Sequence, residues 1–468
     1  MERLKREPYG CFEQLSSTVY PNIFILDYLK TSGKLKADLE GTAVKNLKKG
    51  FEKMLNYKNK DGGFGYFNAS ESDVSISALA LLEFTDLKKV IKIDEKLIQN
   101  LKTFILSKKN KNGIFDVRKS YEINAPFSEY SWSRNMYVLY ALSKIGLKNE
   151  LEDSYAVALN RAMATKDSYQ LALMANTSSY LKKEEDYAKI INMLNLQFEN
   201  KNIKPATTFT GSGRMSANAE TLSLYLMALQ KDFKGNQLKI AEVADELIGY
   251  NGYFGFGSTQ ATSLALEALS GFFSKNEKLY GVEKPIITVN GAEISSAISS
   301  GSAFKNGENE ILINYPNSKK GLPYKLEYQY YTLESPKSAD IPLTMETKLK
   351  SQHSKVGETN RMIITIKNKV NGQLPMITAK IGIPAGLTLQ NALLKDMIDK
   401  KQVSYYEIFD NYLVLYWEHL EANETKVINL DLKVEFAGEY TGKASNVYLY
   451  YTPESKFWNE GIKTQIEL

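Results

Sequence analysis

Cysteine and histidine are almost missing from this sequence: 468 residues hold one of the first and two of the second. One cysteine excludes an internal disulfide framework and every cysteine-rich zinc module. Two histidines leave little for an imidazole-built metal centre, so no metal and no bound cofactor is expected. There is no run of about 18 apolar residues, and no transmembrane helix is expected. The first residues, Met1-Glu2-Arg3-Leu4-Lys5-Arg6-Glu7, are charged and are followed by no apolar stretch of the signal-peptide kind. Charge of one sign is also scarce. The net charge is +5 with the lysines scattered, which speaks against a nucleic-acid partner. Apolar residues, at 43%, are sufficient to give each of roughly two to four domains a core.

The chain has two grammars. Up to about Phe273 it reads helical, with Ala- and Leu-rich segments poor in β-branched residues: Ser75 to Phe84, Arg134 to Ile145, Tyr169 to Ala175, Ala219 to Gln230 and Thr259 to Ser270. Several follow a glycine-aromatic turn, namely Asp61-Gly62-Gly63-Phe64, Asn112-Gly113-Ile114-Phe115 and Asn251-Gly252-Tyr253-Phe254, with a looser Gly211-Ser212-Gly213 between them. A period of about 40–50 residues, each unit a helix pair and a glycine turn, predicts a helical repeat array. With no polar capping repeat in view, a closed α/α toroid fits better than an open solenoid. Beyond about Ser274 short strands follow: Pro285 to Gly291, Glu310 to Tyr315, Lys325 to Leu333, Arg361 to Asn368, Met376 to Ile383, Tyr412 to Trp417, Lys426 to Val434 and Ala444 to Tyr451. Their spacing predicts a β-sandwich with one helical insert near Leu389 to Lys400. The expected fold class is therefore α then β, with units at 1–277, 278–339 and 340–468.

The lone cysteine sits in Pro8-Tyr9-Gly10-Cys11-Phe12-Glu13-Gln14. A buried structural thiol is the bland reading. Its neighbours favour another. Pro8 and Gly10 mark a constrained turn, and Gln14 lies three residues on, within reach across a tight turn. Attack of the sulfur on the Gln14 amide, with loss of ammonia, would close an internal thioester in a ring of about fifteen atoms.

Pro-x-Gly-Cys-x-Glu-Gln resembles the thioester motif of the alpha-2-macroglobulin and complement superfamily, and Ser16-Ser17-Thr18-Val19-Tyr20-Pro21-Asn22 continues it in the bacterial manner. Gly257-Ser258-Thr259-Gln260-Ala261-Thr262 resembles the family's Ser-Thr-Gln-Asp-Thr segment, with Ala261 in place of the usual aspartate. Val403-Ser404-Tyr405-Tyr406-Glu407, Leu413 to Tyr416 and Val447 to Glu454 resemble its receptor-binding domain. The resemblance implies a toroidal thioester domain, the second half of a CUB-like domain and a macroglobulin-type sandwich. It also implies that upstream macroglobulin domains and a protease-cut bait segment belong to a larger parent, of which this would be the C-terminal part. The parent would be periplasmic, cell-surface or extracellular, in bacterial defence. Cys11 and Gln14 would be the thioester pair, with Pro8, Gly10 and Glu13 helping to hold the turn.

By the same resemblance, the chain is a single-use acyl donor, an endopeptidase inhibitor rather than an enzyme. A lysine amine of an attacking protease would take the Gln14 acyl group, and Cys11 would leave as thiolate. Tyr9 and Phe12 are candidate lids over the bond, or ordinary packing beside it. Tyr450 and Tyr451 fall where bacterial relatives carry a pair that shields the thioester; as plain strand residues, one would face in and one out. Some complement relatives use a toroid histidine to redirect the reaction to hydroxyls. Here His353 and His419 both lie in the β half, so direct aminolysis is expected. The alternatives are a thioester adhesin or complement-like opsonin, and a terpenoid-cyclase-like toroid enzyme. The last would need a DxDD or DDxxD motif, and neither occurs.

Overall fold

The computed structural model describes residues 11–68, 70–122, 126–231, 236–252, 255–276, 285–294, 303–315, 334–409 and 411–468. Pro8, Tyr9, Gly10 and the expected strand at Lys325 to Leu333 lie outside the described residues, as does most of 278–339.

Eleven helices among the described residues build the first half: α1 (Phe12–Thr31), α2 (Ala37–Met54), α3 (Val74–Leu87), α4 (Glu95–Ser107), α5 (Glu129–Lys144), α6 (Glu152–Thr165), α7 (Ser168–Tyr180), α8 (Glu184–Glu199), α9 (Arg214–Leu229), α10 (Gln237–Gly249) and α11 (Thr259–Asn276). The odd-numbered helices pack in sequence, each on the next, and α11 packs back on α1. The ring is therefore closed, an α/α toroid. The even-numbered helices lie outside, and the two sets differ as their positions demand. Inner α3 and α7 are buried nearly all round, whereas outer α8 buries only Ile190 and Leu194 along one stripe. Each of the five inner helices after α1 takes in one of the Ala/Leu-rich segments expected from sequence, with only Ile145 and Gln230 falling just past the ends of α5 and α9.

Helix α1 breaks that pattern. Its β-branched residues, and Pro21 inside it, argue locally against a helix. Packing against α2, α3 and α11 overrides them. Where a tight turn was expected across Cys11 to Gln14, the chain has already entered the first turn of α1, with Cys11 as its N-cap.

The glycine turns lead from outer to inner helices and make one mouth of the ring. Gly62 and Gly113 hold φ of 92° and 78°, in the left-handed region. The turns close through small bridges, Lys58 to Phe64 and Lys109 to Phe115, which drive Phe64 and Phe115 fully into the core. At Gly113 a Cβ would lie 2.8 Å from the Asp153 carbonyl carbon.

In the second half, strands β1 (Ile286–Val289), β2 (Ala292–Ile294) and β3 (Ile311–Asn314) form a small antiparallel sheet. Beyond it come β4 (Leu343–Leu349), β5 (His353–Lys355), β6 (Thr359–Asn368), β7 (Leu374–Gly382), β8 (Leu387–Thr388), α12 (Asn391–Asp399), β9 (Tyr405–Phe409), β10 (Tyr412–Leu420), β11 (Thr425–Val434), β12 (Gly438–Thr441), β13 (Ser445–Leu449), β14 (Phe457–Asn459) and β15 (Lys463–Glu467). A five-stranded sheet, β14-β13-β7-β10-β9, faces a four-stranded one, β4-β6-β11-β8, over a shared core; β12-β15-β5 form a third, smaller sheet. Helix α12 is the expected insert.

Strand β10 joins the two halves. Leu413, Leu415 and Trp417 enter the sandwich core, while Val414 and Tyr416 on the opposite face belong to the core of the toroid. A strand buried on both faces loses its polar alternation, as the run Leu413-Val414-Leu415-Tyr416-Trp417 does. Gly113→Ala is expected to lower stability by about 2 kcal/mol or more, since the left-handed backbone and the Asp153 contact both oppose a Cβ. Thermal unfolding measures it, and an unchanged melting temperature would refute this account of the turn.

Candidate functional site

The sandwich lies across the mouth where the inner helices begin, and Cys11 is at the first of these N-termini. Its sulfur faces the backbone N–H of Gln14, and the Gln14 side chain folds back so that Oε1 accepts from the Cys11 N–H at 2.7 Å. This reciprocal capping box brings thiol and carboxamide together within one helical turn. Phe12 N–H donates to the Tyr66 carbonyl at 3.0 Å, fixing the helix start on the turn before α3. Cys11 is wholly buried, and Gln14 is half-buried. Burial first, and then the Glu13 charge, pushes the Cys11 thiol well above its ordinary range. The thiol is thus held protonated, unlike an exposed thiolate sensor.

The cover over this pair is aromatic. Phe67 of the toroid stacks on Tyr405 at 5.2 Å, Tyr416 lies 5.9 Å from Tyr405, Tyr450 is 6.4 Å from Tyr416, and Tyr451 meets Tyr450 edge-on at 4.9 Å. Both Tyr450 and Tyr451 are buried, because they sit on the turn just past β13 rather than on the strand. The one-in, one-out alternative is excluded. Phe12 has a different place: its ring partners are Tyr57, Phe64 and Phe84, all in the helical half.

Glu13 ties three segments together. It accepts from the Thr259 hydroxyl at the start of α11, and the Tyr450 hydroxyl stands beside it. Ser258, next along, caps α11 through Ala261 N–H at 3.0 Å and donates to Glu220 at 3.1 Å. Ala261 itself is buried, with no space for the aspartate of the resembling motif to reach water. Burial, opposed by hydroxyl hydrogen bonds, raises Glu13 to about 7 and both Glu83 and Glu220 to about 8. The toroid therefore carries protonated carboxyl groups in its interior near neutral pH.

Sequence reasoning missed two further groups at the seam. Gln14 Nε2 donates to the Tyr416 hydroxyl at 3.4 Å, and that hydroxyl donates to Glu407 Oε2 at 2.6 Å. Glu418 on β10 accepts from both Ser70 and Lys119 of the toroid. Lys119 is also 4.0 Å from Asp73, the N-cap of α3, which Arg134 holds at 2.6 Å. Arg134 and Lys119 keep Asp73 below the usual carboxylate range against the opposing effect of burial. Only the unalternating apolar run in β10 hinted at a second buried face; partners some 400 residues apart leave no local pattern. Of the histidines, His353 is exposed on β5. His419 is half-buried, pairs with Glu421 at 3.3 Å and lines a cavity of about 670 Å³ at the seam with Lys119, Arg134 and Glu418. Burial pushes it below its ordinary range, toward neutral imidazole.

Comparison with known proteins gives this arrangement its family. The family model described as the A-macroglobulin TED domain matches residues 1–272, and the A-macroglobulin receptor binding domain matches residues 373–460. The chain belongs to the alpha-2-macroglobulin family. It is 22% identical to ovostatin of Gallus gallus over 97% of its own length and 33% of that protein's, and 22% identical to alpha-2-macroglobulin-like protein 1 of Mus musculus over 96% and 32%. The chain thus spans about a third of the length of these macroglobulins. Its fold also matches solved bacterial structures. Native alpha-2-macroglobulin from Escherichia coli, spanning domain MG7 to the C-terminus, aligns over 100% of this chain and 74% of that one, with a TM-score of 0.67 and 14% identity. Salmonella alpha-2-macroglobulin reacted with methylamine aligns over 100% and 30%, with a TM-score of 0.69 and 15% identity. Chain order and fold thus match the C-terminal, TED-to-receptor-binding portion of a macroglobulin.

The interior carboxyls set a pH signature. Their folded pKa values lie above the unfolded value of 4.5, so their contribution is fullest below about pH 4.5 and is lost as pH rises toward about 8. Glu220→Gln keeps an acceptor for Ser212 and Ser258 but cannot ionise. Relative to the parent chain its melting temperature is expected to rise between about pH 5.5 and 8.5, by about 5 °C or more. A constant difference across that range would show that Glu220 ionises freely.

Proposed function

We propose that Cys11 and Gln14 form an internal thioester and that the chain is the acyl-donating end of a protease-trapping macroglobulin. The observation that carries this reading is the folded-back Gln14 side chain at the N-cap Cys11, under a cover from the other half of the molecule. Ring closure joins Sγ to Cδ of Gln14 and releases the amide nitrogen as ammonia. The Cys11 N–H, 2.7 Å from Oε1, is placed to support negative charge developing on that oxygen. Burial then protects the bond from water.

Use of the bond reverses the burial. With the sandwich displaced, a lysine ε-amine attacks Cδ, an amide forms and Cys11 leaves as thiolate. The acceptor is a lysine of the protease whose cut in the parent's upstream bait segment triggers the movement. Each bond is consumed once, so the module is an inhibitor without turnover. It works outside the cytoplasm, in the periplasm, on the cell surface or beyond, where foreign proteases are met. His353 is exposed on β5 and His419 pairs with Glu421, which favours direct transfer to amines over a histidine-relayed transfer to hydroxyls.

The full chain, purified quickly at neutral pH, is expected to weigh about 17 Da less than its sequence. Methylamine should then add to residue 14 and free one thiol. Full sequence mass with Cys11 titratable in the untreated protein and no methylamine adduct overturns the reading. Transfer to surface ligands without any proteolytic trigger would instead favour an adhesin or opsonin. Glu418→Gln weakens the charged seam with Lys119 and should raise the methylamine reaction rate by about tenfold, a loss of about 1.4 kcal/mol in closure. An unchanged rate would show that Glu418 does not hold the cover.

A further inference from the structure

Resting on the thioester reading, we propose that the sandwich also makes the bond it covers: Tyr416 is a catalytic residue at the leaving nitrogen of Gln14, served by Glu407 behind it. A cover needs only bulk and apolarity, which a phenylalanine at 416 would supply. Instead a phenol touches the amide nitrogen at 3.4 Å and a carboxylate stands 2.6 Å behind the phenol, with no ion pair to Glu407 among the described residues. Placing a carboxylate in a water-poor seam is costly unless it has work there.

Bond formation requires moving one proton from sulfur to nitrogen. Glu407 is the base in the seam, 2.6 Å behind the phenol that touches Nε2 of Gln14. In the first step the thiol proton passes to the Glu407 carboxylate as Sγ attacks Cδ, and the C=O electron pair moves onto Oε1, facing the Cys11 N–H. Nitrogen becomes pyramidal and gains a lone pair. In the second step Tyr416 gives its proton to Nε2 and is reprotonated by Glu407. The C–N bond then breaks, its electron pair leaves with ammonia and the C=O bond is restored. Thiol and amide are converted to thioester and ammonia, and Tyr416 and Glu407 end as they began. No other reactant is needed.

The test follows closure in freshly translated full chain. Samples are quenched at intervals into denaturant containing methylamine, and the peptide bearing residue 14 is weighed. A methylamide marks a chain that had closed, and unmodified Gln14 marks one that had not. Tyr416→Phe and Glu407→Gln are expected to close at least about tenfold more slowly than the parent, while Glu407→Asp recovers part of the rate. Tyr440→Phe removes a hydroxyl of the sandwich on β12, away from the pair and its cover, and should close at the parental rate. The groups facing Glu407 are Tyr416 on β10, Tyr405 on its own strand, Tyr448 on β13, and Tyr57 and Cys11 of the toroid. All are neutral below about pH 8 when unperturbed; Glu13 beside Cys11 titrates near 7 and keeps its own limb, so the acid limb of the closure rate should lose the part due to Glu407 in Glu407→Gln and keep it in Glu13→Gln. Parental rates in both relay variants, or equal slowing in Tyr440→Phe, overturn the relay while leaving the thioester intact. If the parent chain never yields the methylamide, the thioester reading falls, and the relay with it.

Discussion

The docking of one sheet face on the mouth of a helical ring governs the state of Cys11 and Gln14. Without Tyr405, Tyr416, Tyr450 and Tyr451 above it, the N-terminus of α1 would open to water at the one place where the chain holds a thiol beside a carboxamide. Burial keeps the thiol protonated, the capping box fixes the amide, and both depend on the same aromatic cover. The cover in turn depends on β10 being apolar on two faces, one for each core.

The means of attachment matter as much as the cover. Around the aromatic centre the seam has charged ties: Glu418 accepts from Lys119 and Ser70, and Arg214 donates to Ser455 at 2.9 Å. Ionic groups at a rim select one docked geometry and regain their hydration when parted. A wholly apolar joint of the same extent would hold permanently. This one is aromatic at its centre and tied by charged and polar groups around it.

Much of this was legible in the sequence where burial is uniform. The five inner helices from α3 onward announce themselves as Ala/Leu/Ser runs because they are surrounded on all sides, and the sandwich strands alternate because one face is dry. Helix α1 was not legible, since Pro21 and the β-branched residues before it speak locally against the helix that its neighbours impose. Cys11 and Gln14 stood out by motif. Glu407, Tyr416, Glu418 and Lys119 did not, because their roles arise only when distant segments meet. Glu13 shows the same limit: its place in the motif was plain, but its bond to Thr259 spans 246 residues.

That separation orders the life of the chain. Helix α1 needs α11 to close the ring, and Gln14 meets a partner 402 positions away. Contacts between such distant segments form late, after the loop entropy of everything between them has been met. The environment of Cys11 and Gln14 is therefore completed only when those distant segments dock. A chain cut short before α11 and β10 has neither ring nor cover around Cys11 and Gln14. Sequence separation alone ties the surroundings of the thiol and the carboxamide to segments hundreds of residues away.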